Sequence, residues 1–299
     1  MIDVSIIIVN HNARILLSET ITSLFQSTNS LSFETILVDN ASTDGSVSAI
    51  KRRFPEVTVL ENPENFGFAK ANNKAIRMSQ GRYILLLNPD TVVQPGAIET
   101  IVNFMDFHPD IGICGPKIVL PDGKLDAPCR RSCKTPAIYL YKTLGLSKLF
   151  PNSKRFGKYY LSYLNEDAIN EVDAVIGAFL MIRRETVEQI GLLDERFFMY
   201  CEDEDWCFRA KKEGWKVYYN PQAQIIHYKG SSTKKRKVWM IFEWHKAIYL
   251  FHKKNLAKSY PLIVNWFVYS GIGLKLIFSL ITNVFKAFLQ GRLQKLGEA

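Results

Sequence analysis

Short apolar runs alternate with helical stretches over the first third of the chain. VSIIIV at 4–9, ETILVD at 34–39, VTVLE at 57–61 and YILLLN at 83–88 read as strands. Between them the spacing predicts helices from about Ala13, after Asp44, and from Ala69 to Met78. Strand and helix in alternation predict a mainly parallel sheet wrapped by helices. Ligands of such sheets bind outside the carboxyl ends of the strands. Those ends carry Asn10, His11 and Asn12, then Asp39 and Asn40, then Asn88 and Asp90. Each alone is ordinary turn chemistry; three strand ends together predict a polar ligand site.

After Ile111 the pattern becomes irregular. A hairpin is expected at Pro121-Asp122-Gly123-Lys124, then a variable segment to about Asp167, then the apolar run VDAVIGAFLMIRR at 172–184. This middle region is expected to place a second substrate. From Ser259 onward the chain is apolar enough to suggest a membrane span. However, Lys275, Ser279, Thr282, Asn283, Lys286 and Gln290 recur every three or four residues, with Ile277, Phe278, Leu280, Ile281, Val284, Phe285 and Phe288 opposite. That pattern predicts a helix lying in the headgroup layer, since a span would bury Lys275 near its middle. The alternative is an amphipathic helix whose apolar face packs on the protein's own core.

The chain has 299 residues, 47% of them hydrophobic, ample for a real core of one large or two small domains. MIDVSIIIVN has no basic n-region and only a strand-length apolar run, so the body is expected to stay in the cytoplasm. Five cysteines lack paired spacing, which argues against a disulfide framework or a zinc module. The net charge of +9 is concentrated late: Lys234, Lys235, Arg236, Lys237, Lys246, Lys253 and Lys254 lie between Lys229 and Lys258, with Glu243 the only acid. A basic block leading into an apolar tail suits an anionic membrane surface better than nucleic acid, for which no motif is present.

Candidate chemistry centres on RFFMYCEDEDWCFR at 196–209. Glu202, Asp203, Glu204 and Asp205 repel one another, and Phe197, Phe198, Met199 and Trp206 would exclude water, a setting that raises a carboxylate's pKa toward that of a general base. The plainer alternative is acids gathered at a helix start, because Asp203 to Lys212 reads as helical. Neither G-x-G-x-x-G after the first strand nor G-x-x-x-x-G-K-[ST] occurs. Asp90, just past a buried strand, is placed to hold a divalent ion that also grips a diphosphate, with His227 a second candidate ligand. An imidazole ligand tilts the preference from magnesium toward manganese.

These segments together resemble the family 2 glycosyltransferases of GT-A fold, most closely their bacterial rhamnosyltransferase-like branch. SIIIVNHN at 5–12, ILVDNASTDGS at 36–46, NPENFGFAKANNKAI at 62–76, YILLLNPDT at 83–91, IGAFLMIRR at 176–184, LLDERFFMYCEDEDWCFR at 192–209 and IIHYKGSS at 225–232 carry the resemblance. It covers about Val4 to Ser232. It implies an α/β, Rossmann-like nucleotide-diphospho-sugar transferase fold followed by an amphipathic helical tail. Residues 1–115 would bind the nucleotide-sugar, 116–232 the acceptor and catalytic groups, and 233–299 the membrane.

The resemblance also implies roles. Asp39 would hydrogen-bond a pyrimidine base, with the backbone near Val9 and Asn10 closing around it. Asn65, Gly67 and Asn72 would hold the ribose or phosphates, Gly67 allowing close backbone approach. Asp90 matches the last acid of the family's metal motif, whose first acid is replaced here by Asn88. His227 matches an additional metal ligand and Asp203 the catalytic base; Glu202 and Asp205 would be acceptor ligands or supports. The implied activity is metal-dependent, inverting transfer of a sugar, best rhamnose from dTDP-rhamnose, to a lipid-linked or growing oligosaccharide acceptor at the inner face of the cell membrane. UDP-galactofuranose, UDP-N-acetylhexosamine and UDP-glucose are the alternative donors, and a non-catalytic glycan-assembly subunit the alternative role.

Overall fold

The computed structural model describes residues 2–28, 30–229 and 237–297, with side chains excepted at Lys237 and at 286–297. The basic residues Lys234, Lys235 and Arg236, the last three residues of IIHYKGSS, and the side chains of Lys237, Lys286, Phe288 and Gln290 therefore lie outside the described residues. The chain forms two compact units: Met1–Phe198 with Glu202–Ser232, and Met199–Cys201 with Thr233–Ala299.

The first unit is built on a sheet of nine strands: β1 (Val4–Asn10), β2 (Phe33–Asn40), β3 (Thr58–Asn62), β4 (Tyr83–Leu87), β5 (Thr91–Val93), β6 (Ile111–Val119), β7 (Asn170–Glu171), β8 (Phe179–Arg183) and β9 (Lys216–His227). The order is β3-β2-β1-β4-β8-β6-β9-β5, with β7 beside β9. Helices α1 (Arg14–Ser27), α2 (Ser46–Arg53), α3 (Gly67–Ile76) and α4 (Ala97–Phe107) alternate with the first strands, followed by the short α5 (Pro136–Thr143), α6 (Leu146–Leu149) and α7 (Arg184–Ile190), then α8 (Glu202–Lys212). The central strands read as continuous apolar runs because both faces are covered: Ile6, Ile7, Ile8, Leu85 and Leu86 are fully buried.

The pairing β3-β2-β1-β4 is parallel throughout, as the alternation predicts. Beyond β4 the sheet is mixed rather than mainly parallel. β8 runs antiparallel to both β4 and β6, and β9 antiparallel to β5 but parallel to β6. A five-residue apolar run such as FLMIR carries no signal of strand direction. The turn at Pro121–Lys124 closes as expected: the Leu120 N–H donates to the Lys124 carbonyl at 2.8 Å, and Gly123 takes φ 80°.

The second unit is helical, with α9 (Lys237–Phe251) and the long α10 (Leu262–Gly297). Leu262–Phe285 is a 24-residue stretch long and apolar enough to cross a membrane. Its amphipathicity is inverted relative to a water-soluble helix. Leu274, Ile277, Phe278, Ile281, Val284 and Phe285 are 56–69% exposed, while Lys275, Ser279, Thr282 and Asn283 are half-buried.

Candidate active site

At the carboxyl ends of β1 and β2 a hydrogen-bonded polar cluster replaces the core. The Asn10 amide donates to Asp39 Oδ1 at 2.8 Å and to Ser46 Oγ at 3.0 Å, and the Ser42 N–H donates to Asp39 Oδ2 at 2.8 Å. The His11 ring bonds the Asn40 carbonyl at 2.7 Å, and Asn12 receives the Thr43 N–H at 2.8 Å, so these two lock one strand-end loop to the other. Asn40 donates to the Gly67 carbonyl at 3.1 Å and accepts from Asn62, extending the cluster to the start of α3.

Asn65 Oδ1 accepts the Gly67 N–H at 2.9 Å, setting the turn into α3. Gly67 itself is at φ 79°, and a Cβ there would lie 2.4 Å from the Phe198 carbonyl oxygen. Its clearance admits the Phe198 backbone, whose carbonyl accepts the Phe68 N–H at 2.7 Å. Asn72 donates to the Phe68 carbonyl at 2.9 Å, leaving its Oδ1 buried without a partner, as is Asn10 Oδ1. Buried acceptors without donors call for an explanation, and a bound ligand is one.

At the end of β4, Asn88 and Asp90 meet the last residue of β9. His227 Nε2 lies 3.3 Å from Asp90 Oδ1 and 3.4 Å from Asn88 Nδ2. On its other side His227 Nδ1 is 3.2 Å from Asp126 Oδ2, and Asp126 also pairs with Lys229. Burial opposes a charge on His227, but its bonds to Asp126 and Asp90 outweigh it and raise the pKa above the ordinary imidazole value. Asp126 is buried, which would raise its pKa, yet His227 and Lys229 hold it below the usual carboxylate range.

This pair fits one edge of a divalent ion's coordination sphere. Adjacent ligands at bond lengths of about 2.1 Å stand about 3.0 Å apart, close to the Asp90–His227 separation. Asp126 occupies Nδ1 and so presents Nε2 as the ligating nitrogen. Among the described residues no cluster of three or more His, Cys, Asp or Glu side chains could hold a metal. The protein would thus supply two ligands, and a diphosphate the remainder. Asp126 was not anticipated from the sequence, because it lies 101 residues from His227 with no periodic signal linking them.

The four acids open α8, and the structure gives each a different fate. Asp205 is fully buried and paired with Arg209 Nε at 2.9 Å, and Arg209 in turn donates to the Leu192 carbonyl at 2.8 Å. Through Arg209 it supports the loop that precedes the helix. Glu204 accepts the Lys134 N–H at 2.9 Å and pairs with the Lys134 ammonium. Asp203 Oδ2 accepts from Arg131 at 2.7 Å and from the Gly177 N–H at 3.1 Å, and Oδ1 accepts the Glu204 N–H at 2.7 Å. Glu202 keeps a buried Oε2 with no hydrogen-bond partner among the described residues.

Crowding within the acidic run therefore acts chiefly on Glu202. Burial first, and then the Asp203 charge, push the Glu202 carboxyl up to about 8. Phe197 and Trp206 are buried around this helix start as expected. Immediately before it, Tyr200 and Cys201 take φ of 75° and 65°, left-handed conformations that cost about 1–3 kcal/mol each. Arg131 and Lys134, the cations that answer Asp203 and Glu204, come from CRRSCK at 129–134. The available signal was compensation: four adjacent acids in an apolar setting need buried cations elsewhere.

Contacts join these parts within the first unit. The Asn88 N–H donates to the Ala178 carbonyl at 3.0 Å, and Ala178 follows the Gly177 that binds Asp203. A Cβ on Gly177 would come 3.2 Å from the Phe68 ring, so the α3 entry, the β4 end and Asp203 share one neighbourhood.

The family model described as Glycosyl transferase family 2 matches residues 5–191. The N-acetylglucosaminyl-diphospho-decaprenol L-rhamnosyltransferase of Mycobacterium tuberculosis is 29% identical over 251 residues, covering 80% of this chain and 81% of that protein. The rhamnosyltransferase WbbL of Escherichia coli K12 is 23% identical over 195 residues, 60% of this chain and 67% of its own length. The crystal structure of S. aureus TarS superposes with a TM-score of 0.57 at 13% identity, over 85% of this chain and 39% of that chain, a likeness of fold alone. The α/β architecture is accordingly the GT-A fold implied by the motifs.

Proposed function

The chain belongs to glycosyl transferase family 2, and from that premise we propose that it is an inverting transferase moving L-rhamnose from dTDP-rhamnose onto a lipid-linked or growing cell-surface glycan. The observation that carries the reading is the Asp203 carboxylate, held by three donors beside a Glu202 oxygen with no partner. The name of the mycobacterial relative, which carries both L-rhamnose and a diphospho-decaprenol acceptor, favours this donor and acceptor class.

A carboxylate has about four lone-pair sites, and Arg131, Gly177 and Glu204 use three of those on Asp203. The remaining site suits the acceptor hydroxyl. As that oxygen attacks the anomeric carbon, the bond to the nucleoside diphosphate breaks with its electron pair, the configuration inverts, and the hydroxyl proton passes to Asp203. Glu202, with its raised pKa, carries a proton it can donate to an acceptor oxygen. Asn10 and Asp39 orient the base, and Asn65, Gly67 and Asn72 border the ribose and phosphates. Asp90 and His227 would hold a manganese or magnesium ion, which when bound neutralises the departing diphosphate.

The exposed apolar face of α10 supports peripheral association with the cytoplasmic face of the membrane, where a lipid-linked acceptor is presented. A panel of nucleotide-sugars tests the function, with the anomeric configuration of the product read by NMR. Rhamnose transfer with inversion is the expected result. Transfer from a UDP-sugar alone would move the donor to one of the alternatives, and turnover of none would refute the enzyme reading.

A further inference from the structure

Within the second unit lies a wide, largely open pocket of about 560 Å³. Its lining joins two aromatic rings, Tyr200 and Trp244, in edge contact at 5.0 Å, to four polar side chains, His245, Lys275, Ser279 and Asn283. The last three recur at every fourth position of α10, so the polar stripe of that helix faces the pocket while its apolar side is bare.

His245 is 4% exposed, and its two ring nitrogens differ. Nδ1 lies 2.7 Å from the Ile241 carbonyl, and a carbonyl only accepts, so Nδ1 carries the proton. Burial, with the nearby Lys275 charge, lowers the His245 pKa, so the ring is neutral and Nε2 is a lone pair. That Nε2 is buried with no hydrogen-bond partner among the described residues. The missing partner must be a donor. Lys275, by contrast, offers positive charge to an anion, and Ser279 and Asn283 can both donate and accept.

We propose that this pocket binds the phosphorylated polyol head of a lipid, its phosphate against Lys275 and a hydroxyl donated to His245 Nε2. The inference rests on the membrane association proposed above. A helix whose apolar side is bare and whose polar side lines a pocket is suited to the level where acyl chains give way to headgroups. Tyr200 and Trp244, apolar rings with polar tips, suit the same level.

Flotation of the full-length protein with phosphatidylcholine vesicles tests the site. The vesicles carry equal mole fractions of either phosphatidylglycerol or phosphatidylethanol, two anionic lipids of equal charge of which only the first has hydroxyls. Wild type should prefer phosphatidylglycerol by about fivefold, the worth of one net hydrogen bond. His245→Phe should lose that preference but keep phosphatidylethanol binding, and His245→Gln, whose carbonyl accepts, should recover part of it. Equal binding of wild type to both vesicles would overturn the proposal while leaving membrane association and sugar transfer standing. Displacement by free glycerol phosphate at comparable concentration would instead assign the site to a soluble phosphorylated polyol and overturn the lipid source.

Discussion

Arg131 donates to Asp203 Oδ2 at 2.7 Å, with both side chains less than a tenth exposed. The same guanidinium nitrogen reaches the Val175 carbonyl at 2.9 Å, so one cation ties the helix start to the segment before β8. Removing one partner of a buried pair leaves the other charge without compensation. Arg131→Met should therefore lower stability by about 3–5 kcal/mol. Arg131→Lys keeps the charge without the planar fork and should fold better yet transfer sugar more slowly, with kcat falling more than donor KM rises. Thermal denaturation beside steady-state transfer checks this; an unchanged kcat in Arg131→Lys would reduce the pair to scaffolding.

Glu202 predicts a pH dependence of stability. Its folded pKa of about 8 lies above the unfolded value of 4.5. Between these values the folded state binds more protons than the unfolded state, so stability falls as pH rises. The contribution is fully present below the unfolded pKa and lost as pH passes through the folded one. Melting temperature should thus fall between about pH 5 and 8 more steeply in wild type than in Glu202→Gln. Parallel curves for the two proteins would remove Glu202 as the titrating group.

The parallel half of the sheet was legible in the sequence because β1 and β2 are apolar runs ending in Asn and Asp, and β4 is an apolar run followed by them. The first turn of α8 was legible for the same local reason: acids precede a helical stretch. What escaped is long-range. Arg131 and Asp203 are 72 residues apart, and no spacing rule connects an arginine in an irregular segment to a carboxylate in a helix. Gly67 is a position that needs glycine, but a sequence does not say what fills the space, and Phe198 lies against it. The polar stripe of α10 was periodic and therefore visible, whereas which side remains bare depends on α9.

The contact between Asp126 and His227 predicts a positioning role. An imidazole that ligates through Nε2 is held by whatever its Nδ1 bonds, and here that is a buried carboxylate at 3.2 Å. Asp126→Asn should weaken manganese affinity about 10–100-fold while the fold persists, because the amide keeps the shape but loses the charge. Titration calorimetry of the donor with manganese measures it. Full activity in excess chelator would set aside the metal roles of Asp90 and His227 together.

The exposed face of α10 predicts how the protein meets a membrane. Phe278 and Ile281 are more than half exposed, so replacing both with Glu removes little internal packing. Burying two such side chains in lipid is worth about 1.5–3 kcal/mol each, so the double variant should partition at least about tenfold more weakly into anionic vesicles. High salt should loosen the wild type only in part, because apolar burial is unscreened. Resistance of the wild type to carbonate extraction would show that the helix spans.

Asp90 and Asp203 should fail in different ways, and the contrast separates an enzyme from a binding module. Asp90 stands 3.3 Å from His227 and is the acid placed to hold an ion against a diphosphate. Asp90→Asn should therefore lose metal-dependent donor affinity. Asp203 touches Arg131, Gly177 and Glu204 and has no bond to the Asn10–Asp39 cluster or to His227. Asp203→Asn should bind donor almost normally, since the amide has nearly the same shape, yet it cannot take the acceptor's proton. Loss of a positioned base costs about 10²- to 10⁴-fold in rate. Calorimetry with nucleotide-sugar and metal, beside a transfer assay, reads both quantities on each variant. Wild-type transfer by Asp203→Asn would place the base elsewhere, and Glu202, whose Oε2 has no hydrogen-bond partner among the described residues, is the carboxylate that would inherit the role.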